Sequence, residues 1–155
     1  METFQPLYEM LQKISIPYKS GTNNRRGLHK HRSATFGLVR GRFTSRVSLS
    51  DITMKHLHIY EELQRVGRAI QPDFYFTTIQ VNYNVTCPRH IDSKNVGRSL
   101  VVGFGDYTGG QLVIDDEVID TFCHPVVFDG SRKMHWNLPH QGEKYSLVYY
   151  NTLTS

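Results

Sequence analysis

Apolar residues recur in two distinct rhythms along the chain, and the change falls near residue 72. Phe4, Leu7, Tyr8, Leu11 and Ile14 are spaced three and four apart, so residues 3–14 are expected to form an amphipathic helix. Pro17 and the polar run from Lys19 to Asn24 end it. Residues 18–34, rich in Gly, Asn and Arg, read as a loop, and residues 34–43 as a short strand pair turning at Gly41. Ser50 or Asp51 can cap a second helix. Its buried stripe would be Ile52, Leu57, Tyr60, Leu63, Val66 and Ile70, with Pro72 closing it. From Asp73 onward the apolar runs shorten and alternate, and Gly or Asp turns separate them. The expected strands are 74–83, 98–104, 111–114, 118–121, 125–128, 133–137 and 144–151. Helices first, then many short strands with no helix between them, predict an α+β, mainly β fold: a β-sandwich or barrel braced by N-terminal helices.

Length and charge narrow the picture. A chain of 155 residues suits one domain with a real core. Within it, residues 1–72 form a helical, basic part and 73–155 a β core. No apolar run is long enough for a bilayer, so no membrane partner is expected. Met1-Glu2-Thr3-Phe4 lacks the basic start of a secretory signal. An intracellular protein is expected, nuclear or cytoplasmic, with Cys87 and Cys123 as free thiols. Two cysteines without a CxxC pair make a cysteine zinc site a poor fit. Net charge is +4, but it is unevenly placed. No Asp or Glu occurs between Glu9 and Asp51. That stretch holds Lys13, Lys19, Arg25, Arg26, Lys30, Arg32, Arg40, Arg42 and Arg46, beside His29 and His31. A basic segment free of acids points to a polyanion partner, nucleic acid, although a solvated basic face has the same composition.

Candidate chemistry centres on Arg89-His90-Ile91-Asp92-Ser93-Lys94-Asn95. His90 and Asp92 have the spacing of two metal ligands, and Met134-His135-Trp136 supplies a third. Two His and one carboxylate on one face of an Fe(II) ion leave three positions open. An HxD alone is weak, since a chain with eight histidines can hold one by chance in a polar turn. This one follows the strongly β-type run Phe76–Val81. Lys144 and Ser146 stand two apart on an apolar strand and share a face by alternation. If that face is interior, the ammonium needs an anion, and a dicarboxylate cosubstrate provides one. If Lys144 sits at an exposed strand start, it simply meets solvent.

HxD, a distal His, then a cation with a nearby Ser: together these resemble the Fe(II)/2-oxoglutarate dioxygenase superfamily, over roughly residues 76–151. Within it the chain is most similar to the TET/JBP-type nucleobase oxygenases and their small microbial and viral relatives. The likeness rests on His90-Ile-Asp92-Ser-Lys-Asn95, Gly97-Arg98-Ser99, Gly105-Asp106-Tyr-Thr-Gly109-Gly110-Gln-Leu112, Phe128-Asp129-Gly130 and His135-Trp-Asn-Leu-Pro139-His-Gln-Gly142-Glu-Lys144-Tyr-Ser146. The resemblance implies a double-stranded β-helix, or jelly roll. It implies Fe(II) on His90, Asp92 and His135, and the distal carboxylate of 2-oxoglutarate on Lys144 and Ser146. Asn95 would contact the target base and Tyr150 would be an active-site aromatic. In the sequence alone, Asn95 also suits a turn and Tyr150 a core position. His140 competes for the third metal position, and the family spacing favours His135. His124, His29, His31, His56 and His58 read as structural.

Two departures stand out: Lys144 occupies a position where TET-type enzymes usually carry Arg, and Thr152 one where they carry a base-contacting His. Prolyl hydroxylases of the same superfamily use Lys. The implied reaction consumes 2-oxoglutarate and O2, yields succinate and CO2, and hydroxylates a methyl group of a nucleobase, 5-methylcytosine or thymine. A base in a DNA duplex would have to be flipped out to reach the iron, with Arg25, Arg26, Arg40 and Arg42 holding phosphates. Two alternatives remain at this stage, a protein or prolyl hydroxylase of the same fold and a non-enzymatic jelly roll that binds nucleic acid. The oligomeric state stays open.

Overall fold

The computed structural model describes residues 1–20, 30–41, 45–92 and 95–152. After a 3-10 turn at Glu2–Phe4, helix α1 spans Gln5–Gln12. Strands β1 (Tyr18–Ser20), β2 (Lys30–Arg40) and β3 (Val47–Leu49) lead into helices α2 (Asp51–Lys55) and α3 (Leu57–Ile70). Seven further strands follow: β4 (Thr78–Tyr83), β5 (Val96–Gly109), β6 (Leu112–Ile114), β7 (Glu117–Ile119), β8 (Val126–Phe128), β9 (His135–Asn137) and β10 (His140–Asn151). They build two antiparallel sheets. The larger runs β1-β2-β4-β10-β5-β8, with β3 beside β2, and the smaller runs β7-β6-β9. This is the expected jelly roll, braced by helices on the outer face of the large sheet.

Alternation along the central strands decides what each face holds. Ile79 and Val81 of β4, Leu100, Val102 and Phe104 of β5, and Tyr145, Leu147 and Tyr149 of β10 pack with Leu7, Leu11, Ile59, Leu63 and Val66 from the helices. Tyr149 locks α3 to the sheet, its hydroxyl donating to the Leu63 carbonyl at 2.6 Å. Gly67 makes that contact possible, because a Cβ there would lie 2.7 Å from the Tyr149 ring. The opposite face of the same strands carries Gln80, Asn82, Ser99, Lys144, Ser146 and Tyr150, which line a cavity instead of a core.

Three expectations need correction. The segment 18–34 is not all loop, since Tyr18–Ser20 pairs with Lys30–Arg32 as an antiparallel ladder; the stretch 21–29 lies outside the described residues. The turn near Gly41 does not fold 34–43 on itself. β2 runs on to Arg40 and pairs with Val47–Leu49, closed by a hydrogen bond from the Gly41 N–H to the Arg46 carbonyl at 2.7 Å. The second helix is two helices, broken at His56 (φ −131°, ψ 57°), and Ser50 caps the first through the Thr53 N–H. The break resets the phase of the stripe, so Leu57 is exposed and Ile59 is buried in its place. No described helix is long and apolar enough to cross a membrane.

Candidate metal centre and its cavity

A two-residue bridge builds the centre. The backbone N–H groups of His90 and His135 each donate to the other residue's carbonyl at 3.0 Å. Opposed residues of such a pair project to the same face, and their imidazole centroids lie 4.3 Å apart. Asp92 is brought in by its own N–H, which donates to the Gly130 carbonyl at 2.9 Å. Gly130 lies close under the cluster, since a Cβ there would stand 3.3 Å from the His135 ring and 3.4 Å from the Asp92 carboxylate.

The ring nitrogens show what the cluster can bind. His90 Nδ1 lies 2.6 Å from the Pro88 carbonyl and His135 Nδ1 lies 2.8 Å from the Lys133 carbonyl. A carbonyl only accepts, so each Nδ1 carries the proton and each Nε2 presents a lone pair. These Nε2 atoms face Asp92, His90 at 3.3 Å from Oδ1 and His135 at 3.1 Å from Oδ2. Two imidazole lone pairs and an anion converge, with all donor atoms within 4.8 Å of one another. Such a set calls for a cation, and two His with one carboxylate fit Fe(II). The carbonyl behind each ring is the kind of outer support that orients metal-bound histidines.

The centre opens into a cavity of about 100 Å³ that Asn95, Lys144, Ser146 and Tyr150 also line. Lys144 is the anomaly there. It is 1% exposed, yet among the described residues its ammonium makes one hydrogen bond, 3.3 Å to the Gly110 carbonyl, and stands 5.8 Å from the Tyr107 ring centroid. Among the described residues no carboxylate forms an ion pair with it. Burial lowers its pKa, and the nearby Cys87 partly offsets this. A buried cation in this state lacks an anion.

Asn95 follows directly on the ligand turn. Its N–H donates to the Asp92 carbonyl at 3.1 Å and its side chain to Ser99 at 3.4 Å. His140 stands apart from the cluster, beside Thr86 at the start of β10. His124 is likewise outside it. Arg40 ends β2 and reaches the Thr152 carbonyl at 3.3 Å, whereas Arg25, Arg26 and Arg42 lie outside the described residues. Gln80 and Asn82 are cavity residues that the sequence reading passed over; Gln80 donates to Asn82 at 2.8 Å. Their signal was present, since two polar side chains two apart on the apolar strand β4 repeat the pattern of Lys144 and Ser146. Cys87 and Trp136 border the same space.

The fold is similar to that of solved oxygenase structures. The structure of NgTET1 in complex with 5mC DNA superposes with a TM-score of 0.63 at 14% identity, over 97% of this chain and 67% of that one. An oxidoreductase of the 2OG-Fe(II) oxygenase family from Burkholderia pseudomallei gives 0.57 at 17% identity, over 96% and 76%. OsALKBH1 gives 0.53 at 9% identity, over 96% and 91%. No family model and no curated protein matches the sequence. The likeness is therefore one of fold, and the residues of the cavity carry the argument about chemistry.

Proposed function

We propose that this protein is an Fe(II)- and 2-oxoglutarate-dependent dioxygenase that hydroxylates a methyl group on a nucleobase, 5-methylcytosine or thymine, in nucleic acid. One observation carries the enzymatic part: a His-Asp-His cluster with converging lone pairs shares a cavity with a buried ammonium that no carboxylate among the described residues neutralises. His90, Asp92 and His135 hold the metal. Lys144 takes the distal carboxylate of 2-oxoglutarate, and the Ser146 hydroxyl, on the same face of β10, adds a hydrogen bond. When bound, iron and cosubstrate supply the oxidation, converting 2-oxoglutarate and O2 to succinate and CO2 as a C–H becomes C–OH. The walls shield this chemistry from water, and Asn95 and Tyr150 meet the substrate where the cavity opens.

Three things support a nucleobase as substrate: the sequence resemblance to TET-type enzymes, the likeness of fold to a protein solved with 5mC DNA, and the acid-free basic segment from Lys13 to Arg46. The test is incubation with Fe(II), 2-oxoglutarate and, separately, methylated DNA, methylated RNA and proline peptides. Succinate release and product mass are followed. The expected product is nucleic acid with one added oxygen on the methylated base. Hydroxylated peptide with untouched nucleic acid would transfer the assignment to the protein hydroxylases. Absence of succinate with every substrate would remove the enzymatic reading.

A further inference from the structure

A second hollow lies behind the iron cavity. It is an open groove of about 370 Å³ between the segment that follows α3 and the ends of β5, β8 and β10. Gln71, Asp73, Phe74, Tyr75, Arg98 and Asn151 line it. Tyr75 is 68% exposed, the most exposed large apolar residue after Tyr18 among the described residues. Arg98 is exposed as well and forms no ion pair among the described residues.

The wall between the two hollows is one sheet layer thick. In each of the pairs Asn95/Val96, Ser99/Arg98, Phe128/Val127 and Tyr150/Asn151, the first residue lines the cavity and its chain neighbour lines the groove. That follows from alternation of side chains across a strand. Two of these pairs mark strand ends, because β5 begins at Val96 and β10 ends at Asn151. The layer stops there, so both hollows meet the same edge. Arg40 stands at this edge too, tied to the Thr152 carbonyl. A polymer with one unit in the cavity can turn over the edge and lay its next unit in the groove.

The lining selects the kind of unit. Phe74 and Tyr75 offer aromatic faces. Asp73 only accepts, Arg98 only donates, and Gln71 and Asn151 do both. An unpaired nucleobase has a matching π face and a mixed polar edge, and stacking on aromatic side chains is how single strands are commonly held. We propose that the groove holds the base next to the one presented to the iron, on the same unpaired strand, with Tyr75 stacking on it and Arg98 contacting the intervening phosphate. This rests on the nucleic-acid reading of the cavity and adds a second recognition site to it.

The test uses the full chain loaded with 2-oxoglutarate and with Mn(II) in place of iron, so that binding is read without turnover. Three probes are compared: the 5-methylcytidine mononucleotide, dinucleotides with a neighbour on either side, and the same dinucleotides with an abasic neighbour. For one polarity the dinucleotide should bind about ten-fold tighter than the other two probes. Tyr75→Ala should erase that gain and leave mononucleotide binding intact, and Tyr75→Phe should restore it. Arg98→Gln should flatten the salt dependence of dinucleotide binding by roughly one phosphate contact. Retention of the full gain in Tyr75→Ala, with mononucleotide binding unchanged, overturns the groove and leaves the proposed reaction standing. A wild-type protein that binds none of the three nucleotide probes and hydroxylates peptides overturns both.

Discussion

Single side chains carry the strongest statements about this protein, and Lys144 is the clearest. A cation buried without an anion lowers the stability of the ligand-free protein. Lys144→Met, which keeps the stem and removes the charge, is expected to stabilise the ligand-free form by roughly 1–3 kcal/mol and to abolish stabilisation by 2-oxoglutarate. Thermal unfolding with and without the cosubstrate checks both. The pH trend has a definite sign. Burial depresses the Lys144 pKa, so below the ordinary lysine value the unfolded chain holds the extra proton. Stability from this residue therefore rises as pH climbs from the depressed pKa toward the ordinary one. Lys144→Met should lose that rise. At the metal, His135→Ala should remove the Mn(II)-dependent increase in melting temperature, whereas His140→Ala should keep it. The reverse pattern would make His140 the third ligand.

At the scale of elements, the question is what holds the helices against the sheet. Tyr149 does so from the sheet side by bonding to α3. Glu143 does the same for α1. It accepts from Tyr8 at 2.5 Å and Gln12 at 3.0 Å of the helix, and from Tyr83 of β4 at 2.9 Å. The bond from Tyr8 is the main reason that its pKa is lowered, with burial opposing and Tyr83 and Gln12 adding to the shift. A depressed carboxylate contributes stability above its ordinary pKa and loses it as pH falls through the folded value. Hydrogen exchange in α1 should therefore speed up under acid before the central strands respond. Glu143→Gln should produce the same loosening at neutral pH. Equal protection of α1 in mutant and wild type would show that apolar contacts alone hold the helix. Because Glu143 precedes Lys144 on β10, this anchor also fixes the strand that carries the buried ammonium.

For the whole molecule, the distribution of charge decides what can approach. The acid-free stretch between Glu9 and Asp51 contrasts with the acidic turns of the second half, such as Asp115-Asp116. Arg40 places one end of that basic stretch at the edge of the sheet where the cavity opens. If phosphates are the partners, affinity falls steeply with salt, by roughly a thousand-fold between about 50 and 200 mM for about six contacts. Binding titrations of an oligonucleotide across that range check this. A flat salt dependence would mean that the basic segment is only a solvated face.

By itself the sequence determined the fold class, most of the elements and several of the cavity side chains, Lys144 and Ser146 among them, because periodicity and the HxD, distal His and Lys-x-Ser spacings are local properties. Alternation on β10 was enough to place Lys144 and Ser146 on one face. It could equally have placed Gln80 and Asn82 on β4. What it could not say was which face of each strand is interior. That depends on where the helices pack, and they cover the side with Tyr145, Leu147 and Tyr149. The break at His56 was hidden for a related reason, since a phase reset leaves the count of apolar residues unchanged and only exchanges Leu57 for Ile59 in the core. Only the tertiary structure paired His90 with His135 across 45 residues, put Gly130 beneath them, and left Lys144 without a carboxylate among the described residues. Those facts come from contacts between segments distant in the chain, which no local pattern encodes.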